Sequence, residues 1–220
     1  MKMKKEIGSN RSYKFLVLGD KMVGKTSVLE RYVNKTFKEN YLMTIGMDKR
    51  FKRLEVNNKD VDIFITDTAG QEIYRSLTKM FYKGADGILV GFSLTEPASL
   101  DSVNYWIEQI NENCNQNHPI SLVLFGNKCD DKQNIKVKAE EINKIKNKYN
   151  LTYFETSAKE NINIQKVFEY LTKITIIKSG NLQEFDLSEN ATIDDIIINE
   201  KENQKLVVKT TKPKKKKTFC

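Results

Sequence analysis

The sequence predicts an α/β domain with a doubly wound, mainly parallel six-stranded sheet, one antiparallel edge strand and helices on both faces. Residues 86–93 and 120–128 are near-continuous apolar runs of strand length, which is typical of strands buried on both faces. Helical patterns over 97–113, 137–149 and 163–178 alternate with strand patterns, as in sheets built from crossover connections. Ligands of such sheets bind at the carboxyl ends of the strands.

The remaining elements follow from local pattern. A strand is predicted over 12–19, where β-branched and aromatic residues end in Gly19. A helix over 25–34 follows, because its apolar residues recur at helical spacing. Residues 50–56 and 61–67 predict two strands joined by the turn NNKD, and this hairpin supplies the antiparallel edge.

The composition predicts one domain with a tail. The 220 residues are 39% hydrophobic and 30% charged, as in ordinary globular proteins. No apolar run approaches the roughly 20 residues of a membrane-spanning helix, and the charged N-terminus predicts no secretory signal. The three cysteines, Cys114, Cys129 and Cys220, form no pattern of pairs, which favours a reducing cytosolic compartment.

The C-terminal part of the chain differs in charge and periodicity. Residues 179–205 hold seven acidic side chains against two lysines, whereas residues 206–220 hold six lysines and no acid. Periodicity ends near Ser179, so we predict a flexible N-terminal extension over 1–11, a domain over 12–178 and a flexible tail over 179–220. The apolar cluster at 193–198 would dock either on the domain or on a partner.

A phosphate-binding loop is predicted between the first strand and the first helix, where residues 19–26 fit G-x-x-x-x-G-K-[ST]. Backbone N–H groups of such a loop surround a phosphate, the helix N-terminus adds a favourable field, and the lysine and hydroxyl reach phosphates and Mg²⁺. The residues expected at this site are Gly19, Asp20, Lys21, Met22, Val23, Gly24, Lys25, Thr26 and Ser27.

The motif DTAGQE at 67–72 follows the next buried strand. Asp67 at a strand end can hold Mg²⁺ through water, and Gly70 can offer its N–H to a γ-phosphate. Gln71 would then orient an attacking water molecule.

Two further motifs indicate a purine site. In GNKCD, the Asp130 carboxylate can accept hydrogen bonds from both donors on one edge of guanine, but adenine offers that edge no matching pair. Asn127 can address the other edge of the base and tie the loops together, and the Lys128 stem can lie along the face of the base. In the motif ETSAK, Ser157 and the Ala158 N–H can support Asp130 and reach the guanine carbonyl oxygen, and the adjoining Lys159 is expected at the same site.

Over residues 12–178, these motifs in this order resemble small GTPases of the Ras superfamily, and within it the Rab family. TIG at 44–46, FYKGAD at 81–86, FSLT at 92–95 and the terminal lysines with cysteine carry the Rab resemblance. No extra helix separates NKCD from ETSAK, which disfavours the Rho branch. The resemblance implies a P-loop NTPase G domain.

The resemblance also implies site residues and partners. Thr44 would ligate Mg²⁺ together with Thr26 and Asp67, and Phe37 would stack against guanine. Loops 38–49 and 68–83 would be two switches that contact an exchange factor, a GTPase-activating protein, a GDP-dissociation inhibitor and effectors. The implied activity is slow GTP hydrolysis by a monomeric GTP/GDP switch in vesicle traffic, with catalytic residues Gln71 and Lys25. No reader motif predicts nucleic-acid binding.

The sequence departs from its relatives in the phosphate loop, where Lys21 and Met22 replace small residues. Lys21 would crowd Gln71 and exclude an arginine finger, place its ammonium on the γ-phosphate, or bend into solvent. Met22 would strain the backbone where φ is positive. A GTP-locked scaffold with little hydrolysis is therefore an alternative function, and Asp130 argues against a further alternative, a P-loop ATPase.

Two other departures concern recognition. Lys49 and Thr66 occupy positions that are aromatic in most Rabs, so ordinary Rab effectors are not expected to bind. The chain ends in a single Cys220 instead of a cysteine pair; a geranylgeranyl group there, with Lys214–Lys217, would hold the protein on an anionic membrane surface. An unmodified cysteine, with lysines that form a solvated tail or an import signal, is the alternative. The expected location is the cytosolic face of an intracellular membrane.

Overall fold

A computed structural model describes residues 11–38, 47–68, 82–114, 118–188 and 192–200. Its strands are β1 (Arg11–Gly19), β2 (Met47–Val56), β3 (Lys59–Thr68), β4 (Gly87–Ser93), β5 (Ser121–Asn127), β6 (Thr152–Glu155) and β7 (Ile198–Glu200). The α-helices of these ranges are α1 (Lys25–Asn34), α2 (Pro97–Asn113), α3 (Ala139–Tyr149) and α4 (Ile164–Lys178).

The strands form one sheet in the order β6-β5-β4-β1-β3-β2-β7. Strands β1, β3, β4, β5 and β6 pair in parallel, and β2 pairs antiparallel with β3. The predicted six-stranded, doubly wound sheet is therefore confirmed, and β7 is an addition that the sequence did not predict.

The core lies on both faces of this sheet. Alternate residues of β1 divide between them: Phe15 and Val17 join the cluster under α1 and α4, whereas Leu16 and Leu18 join the cluster under α2 and α3. All seven residues of β4 are buried, as its continuous apolar run predicted. Parallel strands that are covered on both faces leave their carboxyl ends as the open edge for a ligand.

The hairpin of β2 and β3 turns through two residues. Asn57 and Asn58 have φ of 47° and 64°, and positive φ at both central residues is what a type I′ turn requires. Asparagine tolerates this region better than most side chains do. The predicted turn NNKD is thus a tight turn followed by the first two residues of β3.

Residues 181–188 and 192–200, here called the strap, pack against the domain, although the sequence suggested a flexible tail from Ser179. The strap holds two short 3-10 helices, Leu182–Phe185 and Ile193–Asp195, and then β7, which pairs antiparallel with β2. Phe185 and Ile196 are each 1% exposed and belong to the core cluster of α1 and α4. The physical reason is apolar burial, so the cluster at 193–198 docks on the domain, the first of its two predicted alternatives.

Asn57 fastens the strap through its side chain and backbone. Its Nδ2 donates to the Phe185 carbonyl at 3.1 Å, and its Oδ1 accepts from the Ile197 N–H at 2.8 Å. The Asn57 N–H in turn donates to the Ile197 carbonyl at 3.0 Å. The tight turn therefore supplies polar partners to a segment more than a hundred residues away in the chain.

Candidate nucleotide-binding site

The phosphate loop lies between the end of β1 and the start of α1, at the carboxyl edge of the sheet. Gly19 and Gly24 begin and end it with φ of 140° and 94°. A Cβ on Gly19 would collide with the carbonyl oxygen of Gly91, and one on Gly24 would collide with Nδ2 of Asn127. Both positions therefore need glycine for conformation and for space.

The loop combines a buried ammonium group with a helix start that has no side-chain cap. Lys25 is 5% exposed, and its Nζ donates to the carbonyls of Gly19 and Asp20, each at 2.8 Å. The N-cap of α1 is Gly24, with no side-chain cap and no acid in the first turn among the residues described there. First-turn N–H groups without a side-chain cap are suited to an anion.

A carboxylate and a hydroxyl beside the loop fit a divalent cation. The Thr26 hydroxyl donates to Asp67 Oδ2 at 2.6 Å, and Asp67 is fully buried. Its Oδ1 has no hydrogen-bond partner within the described part of the chain. Burial raises the pKa of Asp67, opposed by the Thr26 hydrogen bond and the Lys25 charge. Mg²⁺ binds such oxygen ligands, so the predicted ligands Thr26 and Asp67 fit this ion.

Charged neighbours of Asp67 also come from β2. Asp48 lies directly opposite Asp67 in the strand register, and Arg50 contacts both Asp48, at 2.6 Å, and Glu30 of α1. Burial has the largest effect on the pKa of Asp67, followed by the Thr26 hydrogen bond and the Lys25 charge. Two smaller effects come from β2, where the Asp48 charge raises this pKa and the Arg50 charge lowers it. The sequence analysis did not identify this group, because the two charges lie outside the recognised motifs.

The two unusual loop residues both face outward. The Met22 side chain is 60% exposed. Its backbone φ of 62° lies in the left-handed region that favours glycine. Lys21 is also exposed. Gln71 and Gly70 lie outside the described residues, and the three alternatives for Lys21 stay predictions.

Asn127 links three loops at the predicted base site. It is 2% exposed; its Nδ2 donates to the Val23 carbonyl at 2.9 Å, and its Oδ1 accepts from the Ala158 N–H at 3.2 Å. These contacts are the predicted link between the loops, with both ends of the amide bound to protein, and the predicted contact with the base stays a prediction. The phosphate loop, the NKCD loop and the ETSAK loop are thereby held at one place.

Lys128 and Asp130 flank a buried residue in the NKCD loop. Lys128 has φ of 68° and is half-buried, as is Asp130, while Cys129 between them is buried. The Cys129 N–H donates to the Thr156 carbonyl at 3.1 Å, which joins this loop to the ETSAK segment. Burial raises the pKa of the Cys129 thiol, so this cysteine stays protonated at neutral pH.

Arg31 of α1 binds the backbone of the ETSAK loop, a contact that the sequence analysis did not identify. Its Nε donates to the Ala158 carbonyl at 2.8 Å, and its guanidinium also donates to the Lys159 carbonyl at 2.9 Å. The same guanidinium lies 5.8 Å from the ring centre of Phe37, which is partly buried against the core. Phe37 is thus placed next to the loop of Ala158.

Ser157 is fully buried, and its hydroxyl accepts from the Glu160 N–H at 2.9 Å. This bond stabilises the loop itself, whereas the sequence analysis expected Ser157 to support Asp130. A second missed contact joins the phosphate loop to α2, where Trp106 Nε1 donates to Asp20 Oδ1 at 2.9 Å. No motif predicts contacts of this kind, because the partners are far apart in the chain.

Several predicted residues lie outside the described ranges. They are Thr44, Gly70, Gln71, Lys214–Lys217, Cys220, and most of loops 38–49 and 68–83. Within the described ranges, no helix has the length and apolar content needed to cross a bilayer.

Three features together define a Ras-type G domain. A loop with a buried lysine lies at a strand-to-helix junction, and the adjacent strand carries a carboxylate that fits a cation. Asn127 ties the NKCD and ETSAK loops to this phosphate loop. Comparison with protein families agrees, because residues 14–177 match the Ras family. The chain belongs to the Rab branch of the Ras family of small GTPases.

Its relatives include Ras-related protein Rab-13 of Bos taurus, 34% identical over 168 residues, which are 76% of this chain and 82% of the relative. Ras-related protein Rab-10 of Diplobatis ommata is 35% identical over 180 residues, or 80% and 89% of the two chains. Ras-related protein Rab-8A of Bos taurus is 36% identical over 161 residues, or 73% and 77%.

Proposed function

We propose that this protein is a guanine-nucleotide switch that binds GTP and GDP with Mg²⁺, slowly hydrolyses GTP and regulates membrane traffic. The observation that carries the proposal is the pairing of Thr26 and Asp67 at the mouth of the phosphate loop. A fully buried carboxylate with one unpartnered oxygen, next to a loop that favours anions, suits a cation bound together with phosphates.

Different groups of the chain would bind different parts of the phosphate chain and its Mg²⁺. The N–H groups of the loop and of the first turn of α1 would surround the β-phosphate, and Lys25 would move its ammonium from the loop carbonyls onto phosphate oxygens. Thr26 and Asp67, with Thr44, would hold Mg²⁺, which supplies charge neutralisation at the phosphates when bound.

Guanine recognition would fall to Asp130, with Lys128 and Phe37 on the faces of the base and Ala158 at its carbonyl. The support is that Asn127 and Arg31 bring these loops together. The test is competition between unlabelled nucleotides for a fluorescent GDP analogue. GTP and GDP should displace it at far lower concentration than ATP; equal displacement by ATP would make the protein a general purine-nucleotide binder.

Hydrolysis would use Gln71 to orient the water and Gly70 to sense the γ-phosphate. The alternative is a GTP-locked scaffold, in which Lys21 and Met22 keep the hydrolysis rate low. Single-turnover hydrolysis of bound GTP, on the full chain, compares wild type with a Lys21→Ser, Met22→Gly double variant. A much faster variant would mean that the long side chains act as a brake; equal rates would mean that they leave Gln71 unobstructed.

Regulators and effectors would bind through loops 38–49 and 68–83. Lys49 lies opposite Thr66 across β2 and β3, next to the aromatic pair of Phe51 and Phe64, so a lysine adjoins the ring pair on this surface. This arrangement supports an effector set that differs from that of ordinary Rabs.

Membrane attachment would use Lys214–Lys217 and a lipid on Cys220. Intact mass of the protein from its native cells tests the lipid directly. A geranylgeranyl increment that trypsin leaves on the C-terminal peptide supports the proposal, whereas an unmodified mass removes the lipid from it.

A further inference from the structure

Trp106, the single tryptophan of the chain, connects α2 to the phosphate loop. Its ring is partly buried against the core cluster of α2 and α3 and lies edge-on to Tyr105, with 5.3 Å between ring centres. Its Nε1–H points to Asp20 Oδ1 at 2.9 Å. The indole nitrogen can only donate a hydrogen bond, so this contact holds the Asp20 carboxylate toward α2.

Asp20 is held from a second side by a contact of a different kind. Its main-chain carbonyl accepts from Lys25 Nζ at 2.8 Å. In the proposed function Lys25 also binds phosphate oxygens, so its contacts with the loop carbonyls would change when a nucleotide enters. The indole donor is uncharged and lies outside the loop, so it does not compete for phosphate. Trp106 is therefore the restraint on Asp20 that persists when a nucleotide enters.

The charge of Asp20 makes its orientation important. The loop gathers N–H groups and the Lys25 ammonium for an anion, and a carboxylate turned into it would repel phosphate and compete for Lys25. We propose that Trp106 is a positioning residue for nucleotide binding, which keeps the Asp20 carboxylate directed toward α2 and out of the phosphate site. This inference rests on the proposed nucleotide function.

The test measures how fast a fluorescent GDP analogue leaves the full-length protein when excess GDP is added. Trp106→Phe keeps an aromatic ring against the core and removes the N–H. We expect dissociation to become about tenfold faster, equivalent to ~1.4 kcal/mol. In an Asp20→Ala background the same substitution should change the rate less than about twofold, because no carboxylate remains to be held. Tyr105→Phe, on the same helix, is the matched control and should not alter the rate.

Two further readouts separate positioning from packing. If Trp106 only packs, Trp106→Phe will lower the melting temperature and change dissociation by the same factor in both backgrounds, which overturns the inference. Asp20→Ala leaves the indole in place but frees its N–H, so the fluorescence emission of Trp106 should shift; an unchanged emission also overturns it. Failure of the wild type to bind the analogue would overturn the proposed function as well, whereas a failure confined to the Trp106 comparison affects this inference alone.

Discussion

Removing the Phe185 side chain should destabilise the whole domain, although Phe185 lies beyond the last helix of the G domain. Phe185 is 1% exposed within the core cluster of α1 and α4. Truncating a buried phenylalanine to alanine costs about 3–5 kcal/mol, because apolar contact is lost and a cavity is left. If the strap detaches in the variant, the loss cannot exceed the free energy with which the strap docks on the rest of the domain. We therefore expect about 3 kcal/mol for Phe185→Ala.

Urea unfolding of the full chain at a fixed, saturating GDP concentration measures this effect, because bound nucleotide itself stabilises the folded state. Ile196→Ala should cost about 2–3 kcal/mol, since Ile196 is also buried. The neighbouring Ile197 is 63% exposed, so Ile197→Ala is the matched control and should change stability by less than about 0.5 kcal/mol.

The double variant of Phe185 and Ile196 distinguishes two kinds of loss. If the strap detaches as a unit, the double variant will cost little more than the larger single loss, and its urea m-value will fall because less surface is buried in the folded state. Losses below about 0.5 kcal/mol for both single variants would refute a docked strap.

Three further predictions concern single residues. Asn57→Ala should cost about 2 kcal/mol and abolish hydrogen-exchange protection of the Ile197 amide, because two side-chain hydrogen bonds are lost and alanine disfavours φ of 47°; retained protection would contradict it. Met22→Gly should raise stability by about 0.5–1 kcal/mol in the same urea assay, since glycine relieves the cost of φ 62°, whereas Lys21→Ser should have little effect. The third is Asp67→Asn, measured in excess EDTA between about pH 4 and 7. The pKa of Asp67 is raised in the folded protein, mainly by burial. Above that pKa the folded protein therefore carries a buried negative charge, which destabilises it, and below that pKa the carboxyl group is neutral. Relative to Asp67→Asn, metal-free wild type should therefore lose stability as pH rises from the ordinary aspartate pKa through the raised one; parallel curves would contradict this reasoning.

The elements that the sequence predicted are those with a local signal. Helix α1 was predicted at its observed bounds, because its apolar spacing and the preceding glycines act within a few residues. Strands β4 and β5 were found as continuous apolar runs. The glycines and Lys25 of the phosphate loop were identified for a similar reason, since each is required by the backbone or by charge inside one short segment.

The strap was only partly anticipated, because its apolar residues are scattered through a polar segment and produce no period. Phe185 and Ile196 are buried, and Leu182, Leu187 and Ile198 pack against the same core cluster. Phe185 and Ile196 belong to the same core cluster as residues of β2 and α4, and β2 is more than a hundred positions away in the chain. The contacts of Trp106 with Asp20 and of Arg31 with Ala158 were missed for a related reason. The partners are 86 and 127 positions apart in the chain, and neither tryptophan nor arginine belongs to a motif that identifies its partner.

The position of the strap in the chain has a consequence for synthesis on the ribosome. Helix α4 ends at Lys178, and the 22 residues from Ser179 to Glu200 require roughly 1–4 s more at 5–20 residues per second. Until those residues are made, the core lacks Phe185 and Ile196, and the edge of β2 that faces away from β3 lacks its partner strand β7. An unpaired strand edge beside exposed apolar surface is the kind of feature that chaperones bind. The core of this domain is therefore completed by residues that follow its final α-helix.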